Sequence, residues 1–206
     1  MVKYPAAEHG IICKGFGGMY SYCGWPSVCK NGAGELIAVC SGFRLGHIGA
    51  FGKTVMFKSP DNAKTWSAPI IVNDTPLDDR DAGILCLGGE KLLVTWFVHP
   101  PEVYINNQNY WLAGSCPLEE YQISLAQISS WRALVGDESL YGSFIRLSDN
   151  NGLTWGETIK LPVSAPHGPN LLSDGTVLYL GKEMYSKEEE KGAIAAYKSA
   201  DGGKTW

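Results

Sequence analysis

The sequence is short of charge. Charged residues make up 18% of its 206 positions and the net charge is −4, so the basic face that nucleic-acid binding demands is missing. No apolar run approaches the roughly 18 residues of a membrane-spanning helix. The start, Met1-Val2-Lys3-Tyr4-Pro5, lacks the apolar centre of a secretory leader, so a cytoplasmic protein without membrane contact is expected. The six cysteines (Cys13, Cys23, Cys29, Cys40, Cys86 and Cys116) include no C-x-x-C spacing, and four sit in or beside strand-like apolar runs. Buried free thiols are therefore expected, not a disulfide framework or a zinc site. There is no cofactor fingerprint and no metal-ligand cluster, the Asp-rich loop 78–81 coming nearest to a cation site. What is abundant is glycine and aromatic residues, with 25 Gly, 7 Trp and 10 Tyr, the balance of a turn-rich β protein.

One eight-residue phrase occurs three times. It reads Ser59-Pro60-Asp61-Asn62-Ala63-Lys64-Thr65-Trp66, then Ser148-Asp149-Asn150-Asn151-Gly152-Leu153-Thr154-Trp155, then Ser199-Ala200-Asp201-Gly202-Gly203-Lys204-Thr205-Trp206. Each copy follows an apolar, strand-like run. An Asp or Asn at the third position folds its side chain onto backbone N–H groups, the Gly at the fifth accepts a positive φ, and the Trp covers the turn. Three such copies mark a repeat architecture. The phrase resembles the Asp-box, or BNR repeat, of the sialidase-like β-propellers. That resemblance implies an all-β fold of four-stranded antiparallel blades, with each box as the turn between a blade's third and fourth strands, on the face away from the active site.

The chain divides accordingly into about three blades, half of a six-bladed ring. The first covers about 20–73, with strands over 26–30, 35–42, 53–58 and 70–72. The second covers about 74–160, with an inner strand over 83–87, a second over 91–98 and an insertion over 100–142. The insertion explains why Ser59 and Ser148 stand further apart than Ser148 and Ser199. Within it, Tyr121, Leu125, Ile128 and Trp131 recur at helical spacing across 118–134, after Pro117 and beside Glu119-Glu120, so an amphipathic helix packed on the rim is expected. The third blade covers about 161–206, with strands over 170–172, 176–180 and 193–198, and breaks off before its fourth strand. A short strand over 9–14 precedes the first blade. Such an open arc exposes two sheet edges, so the expectation is a fragment of a longer protein, or a homodimer in which a second copy closes the ring.

In a propeller blade the inner strand begins, and the second strand ends, on the face opposite the boxes. That rule brings Trp25, Asp78, Asp79, Arg80, Asp81 and His167 to one face from the inner strands, and Arg44, His47, His99, Lys182, Glu183 and Tyr185 from the ends of the second strands. Arg44 and Arg80 carry the fork that grips a carboxylate, with Trp25 and Glu183 beside them as substrate-binding groups. His47, His167, Asp81 and Tyr185 are the proton-transfer or nucleophile candidates. His99, before Pro100-Pro101, reads as a loop residue.

The sialidase resemblance implies three arginines on the sialic acid carboxylate, an Asp as acid/base and a Glu-activated Tyr as nucleophile, outside the usual two-carboxylate scheme. The first of those arginines stands two residues before the inner-strand Pro, where this sequence has Gly24 before Pro26. The loop expected to hold the Asp runs 43–52 and contains no carboxylate. The expected function is a carbohydrate-active enzyme, an exo-glycosidase on an acidic sugar. The alternatives are a non-catalytic glycan-binding or scaffold propeller, or a polysaccharide lyase on the same fold. A carbohydrate is the expected partner.

Overall fold

The computed structural model describes residues 8–15, 18–47, 49–106, 118–134, 136–184 and 192–206. Three antiparallel four-stranded sheets follow one another along the chain. The first holds β1 (Tyr22–Lys30), β2 (Leu36–Arg44), β3 (Lys53–Ser59) and β4 (Ile70–Asn73) in sequence order. The second holds β5 (Arg80–Gly88), β6 (Lys91–Val98), β7 (Gly142–Ser148) and β8 (Ile159–Leu161), again in order. The third holds β9 (Val163–Ser164), β10 (Asn170–Leu171), β11 (Val177–Glu183) and β12 (Ile194–Ser199). There β9 and β10 both pair with β11, so its inner strand is one strand broken by the loop 165–169.

Burial explains the strand sequences. Residues 92–98 of β6, Leu-Leu-Val-Thr-Trp-Phe-Val, are buried without alternation, because both faces of that strand are covered. By contrast β12, Ile-Ala-Ala-Tyr-Lys-Ser, alternates exposed and half-covered residues. One core joins the first two sheets through Ile37, Val39, Met56, Leu92, Val94 and Phe144. Another joins the second and third through Leu93, Ile145, Val177 and Tyr179. The inner strands lie beside one another, β1 against β5 and β5 against β10, so they line a common axis.

Two helices arise between β6 and β7 among the described residues: α1 (Pro101–Ile105) and α2 (Leu118–Leu134). The face read from the spacing is the face that packs. Tyr121, Ile128 and Trp131 are buried, and Leu125 joins Ala50 and Tyr104 beside them. The strand expected over 9–14 is absent: residues 8–15 have no hydrogen-bonded neighbour strand, and Cys13 packs on Cys40, Val55 and Phe57 instead. The five described cysteines are free thiols, and Cys116 lies outside the described residues. No described helix is long and apolar enough to cross a membrane.

The three phrase turns share one hydrogen-bond network. The Ser hydroxyl accepts the fifth residue's N–H at 2.9, 2.9 and 2.8 Å (Ala63, Gly152, Gly203). The Thr N–H is donated to Asp61, Asn150 and Asp201 at 2.8, 2.9 and 2.9 Å. The Thr hydroxyl donates to Asp61 and Asp201, whereas at Asn150 the amide reverses the bond and donates to Thr154. Two consecutive residues in each turn take positive φ, and Ala63 does so at +70° where the other turns have Gly. Each later turn also seats on the preceding sheet, Gly152 against Met56 and Gly203 against Leu93.

Candidate functional site

At the opposite ends of the inner strands the backbone departs from regular pairing in all three sheets. In β1, Gly24 pairs with Ser41 and Ser27 with Val39; in β5, Arg80 pairs with Phe97 and Gly83 with Thr95. Each inner strand thus holds one residue more than its partner, a bulge that re-aims a side chain. The residues it turns are Trp25 at φ +52° and Asp81 at φ +51°. In the third sheet the loop between β9 and β10 does the same to His167, at φ +74°. A positive φ on a residue with a Cβ costs about 1–3 kcal/mol and persists only where the surroundings impose it.

The surroundings are tight. A Cβ at Gly83 would stand 2.5 Å from Gly168 Cα, so only glycine lets the His167 loop close on β5. The His167 carbonyl accepts from Ser27 Oγ at 3.4 Å, which ties the third sheet to the first. The Trp25 ring lies 5.0 Å from the His47 ring and carries the Arg80 and Arg44 guanidinium groups at 4.7 and 5.0 Å from its centre. Tyr22 Oη stands 3.5 Å from His47 Nδ1.

Beneath this surface lies a buried charge cluster on Asp78. Arg44 has no accessible surface, and all five of its N–H groups are committed: two to Asp78, the others to Ser41 Oγ and to the carbonyls of Gly46 and His47. The same carboxylate accepts from Arg80 Nη1 at 3.4 Å and from Tyr104 Oη at 3.3 Å. Arg44, read from the sequence as a substrate anion's partner, is thus turned inward onto Asp78. Gly52 closes over the pair, since a Cβ there would fall on Arg44 Nη1 and Asp78 Oδ1.

Arg80 and Asp81 keep a small opening, at 8% and 9% exposure. Arg80 Nε and Asp81 Oδ1 have no hydrogen-bond partner among the described residues and stand 4.0 Å apart, beyond bonding distance. Burial works against the Arg80 charge, but Asp78, Tyr104 and Asp81 outweigh it and keep the group protonated. Burial pushes the Asp81 carboxyl upward against the pull of Arg80, Arg44 and His167. His47 is pushed down by partial burial and by Arg80 and Arg44. His99, placed in a loop by its sequence, is brought against Phe97 and Tyr104 and is driven down to about 4 by burial and Arg80, which makes it a neutral imidazole.

The structure therefore joins Trp25, Arg80, Asp81, His47 and His167. Glu183 is buried at the end of β11, where Tyr197 Oη donates to it at 2.6 Å. Tyr185 lies outside the described residues. The sequence offered Asp78 only as one of the acidic neighbours of Arg80, and it did not pick out Tyr104. The one hint for Tyr104 is its position just after Pro100-Pro101, at the end of β6. No group of His, Cys, Asp or Glu able to hold a metal occurs among the described residues.

No protein-family model and no curated protein sequence matches the chain. Solved structures do. A leech intramolecular trans-sialidase complexed with 2,7-anhydro-Neu5Ac superposes with a TM-score of 0.61 at 12% identity, over 98% of this chain and 45% of that one. A Hadza microbial sialidase gives 0.60 at 16% identity, over 91% and 37%. The NanB sialidase of Streptococcus pneumoniae gives 0.59 at 14%, over 96% and 45%. This chain spans about half or less of the length of each. At these identities the likeness establishes architecture alone, and the architecture is that of a sialidase-like β-propeller.

Proposed function

We propose that this chain is the substrate-binding part of a carbohydrate-active enzyme, an exo-glycosidase on an acidic sugar. The observation that carries the reading is the convergence of Trp25 and Asp81, each turned by a positive φ, on one guanidinium, Arg80. Trp25 offers a face for a sugar ring, and Arg80 a charge for its carboxylate. Asp81, held above the usual carboxylate range, is suited to give its proton to the glycosidic oxygen as that bond breaks. His47, held neutral, is suited to take a proton from the water that adds to the anomeric carbon. His167 sits beside Asp81 and biases its charge. The three turns fit the Asp-box pattern, which supports the same superfamily, and the 78–81 segment serves an internal ion pair rather than a cation.

The test is product formation from sialosides and from uronic-acid oligosaccharides. A released acidic monosaccharide is expected, and Asp81→Asn should lower kcat by about 10²-fold or more with an unchanged or higher melting temperature. An unsaturated sugar would instead identify a lyase. Saturable binding without product would identify a glycan-binding propeller.

A further inference from the structure

A second cavity, sharing no residue with the Trp25 cluster, opens at the outer rim between the first two sheets. Its volume is about 390 Å³, in the lower part of the range typical of small-molecule pockets. Trp96 and Phe144 form its wall, their rings 5.6 Å apart and nearly parallel at 28°. Arg146 lies over Trp96 at 5.6 Å and Lys160 over Phe144 at 5.9 Å. Among the described residues no carboxylate lines the cavity, and neither cation has an ion-pair partner.

The donor inventory is as telling as the charge. Arg146 gives Nε–H to Thr158 Oγ1 at 3.0 Å and one Nη1–H to the Val72 carbonyl at 3.3 Å. Those two bonds fix the plane of the guanidinium, and its other three N–H groups have no partner among the described residues. Trp96 Nε1 is buried and unpartnered. In a chain of net charge −4, two unpaired cations over an aromatic wall mark a built site for a negative ligand.

We infer that this rim cavity binds a carboxylate-bearing small molecule, its carboxylate against Arg146 and Lys160. The site is independent of the proposed active site and would hold a second acidic residue of a glycan or an acidic effector. It calls for hydrogen bonds of the charge-assisted kind.

The experiment is a titration of the ¹⁵N-labelled chain with sodium glucuronate, read at the indole N–H of Trp96, assigned by Trp96→Phe. A saturable shift in the millimolar range is expected, with none for glucose. Arg146→Gln should weaken binding about tenfold or more. Lys160→Gln, at an exposed position with no framework bond, should weaken it as well and guards against a folding defect in the first variant. The Trp25 indole reports the other site separately, so failure at one is distinguishable from failure at the other. An unmoved Trp96 signal, undiminished affinity in both variants, or an equal response to inorganic phosphate would overturn the assignment.

Discussion

The two ends of the inner sheets handle polar groups in opposite ways. On the turn face, Ser, Asp or Asn, and Thr bond to one another and to the backbone in the same pattern three times over. Their carboxylates are exposed, and hydrogen bonds from Thr65 and Thr205 hold Asp61 and Asp201 below the usual range. On the other face, carboxylates are buried and pushed up, and Arg80 Nε and Asp81 Oδ1 go without partners among the described residues. The first arrangement closes each hydrogen-bond account locally and leaves nothing to offer a ligand. The second leaves donors and acceptors unused, which is what binding requires and what stability opposes.

The comparison breaks most decisively at Asp78. Asp78→Ala strands Arg44 without a counter-charge in a place that water does not reach, and the expected loss in urea denaturation is about 3–5 kcal/mol. Asp61→Ala removes an exposed acceptor and should cost far less. Equal losses would mean that the buried cluster is no more than a solvated pair.

Next in size is the response to pH, where the two faces should pull apart. Burial holds Asp79 at about 7, against the Thr75 bonds that pull it down, while an unfolded Asp titrates near 3.9. Between those values the folded chain retains a proton that the unfolded chain releases, so stability falls as pH rises from about 4 to about 7. The drop from this group is on the order of 4 kcal/mol at most. The depressed carboxylates of the turns act in the other direction: their contribution is present above about 4 and is lost as pH falls below it. Thermal melting across pH 3–8, a range chosen to span both windows, should show a maximum near the acidic end. Asp79→Asn should flatten the slope on its neutral side; an unchanged slope would place the proton elsewhere.

The smallest effect sharpens the turn face itself. Ala63→Gly relieves a φ of +70° and should stabilise the chain by about 1 kcal/mol. Gly203→Ala should destabilise it, because φ is +94° and the new Cβ would meet Leu93 Cδ1 at 2.7 Å. Opposite signs in a denaturant series are the expected result. The same sign would show that the turns do not share one geometry.

Most of the strands, the turns and the α2 face were legible because each is written in neighbouring residues; the two-residue strand β9 was not. Asp61 bonds Ser59 two positions before it and Thr65 four positions after it, and the buried face of α2 recurs at helical spacing. The site was legible only as a rule about which strand ends share a face. That rule found Trp25, Arg80, Asp81, His47 and His167 without saying how they meet. It could not separate Arg44 from Arg80, because both are arginines at strand ends beside the same loops. Nor could it find Tyr104, which arrives from the insertion after β6.

What the sequence determined by itself, then, is the repeat: its turns need only short-range hydrogen bonds and a tolerated φ, and these are properties of eight consecutive residues. What the tertiary structure alone decided is the allocation of charge. Whether an arginine faces a ligand or an aspartate depends on which carboxylate lies within a few ångströms after folding and on how much water remains around it. Asp78 meets Arg44 from 34 positions away, and burial by Gly52, Trp25 and Tyr104 turns that meeting into framework while leaving Arg80 and Asp81 at the opening.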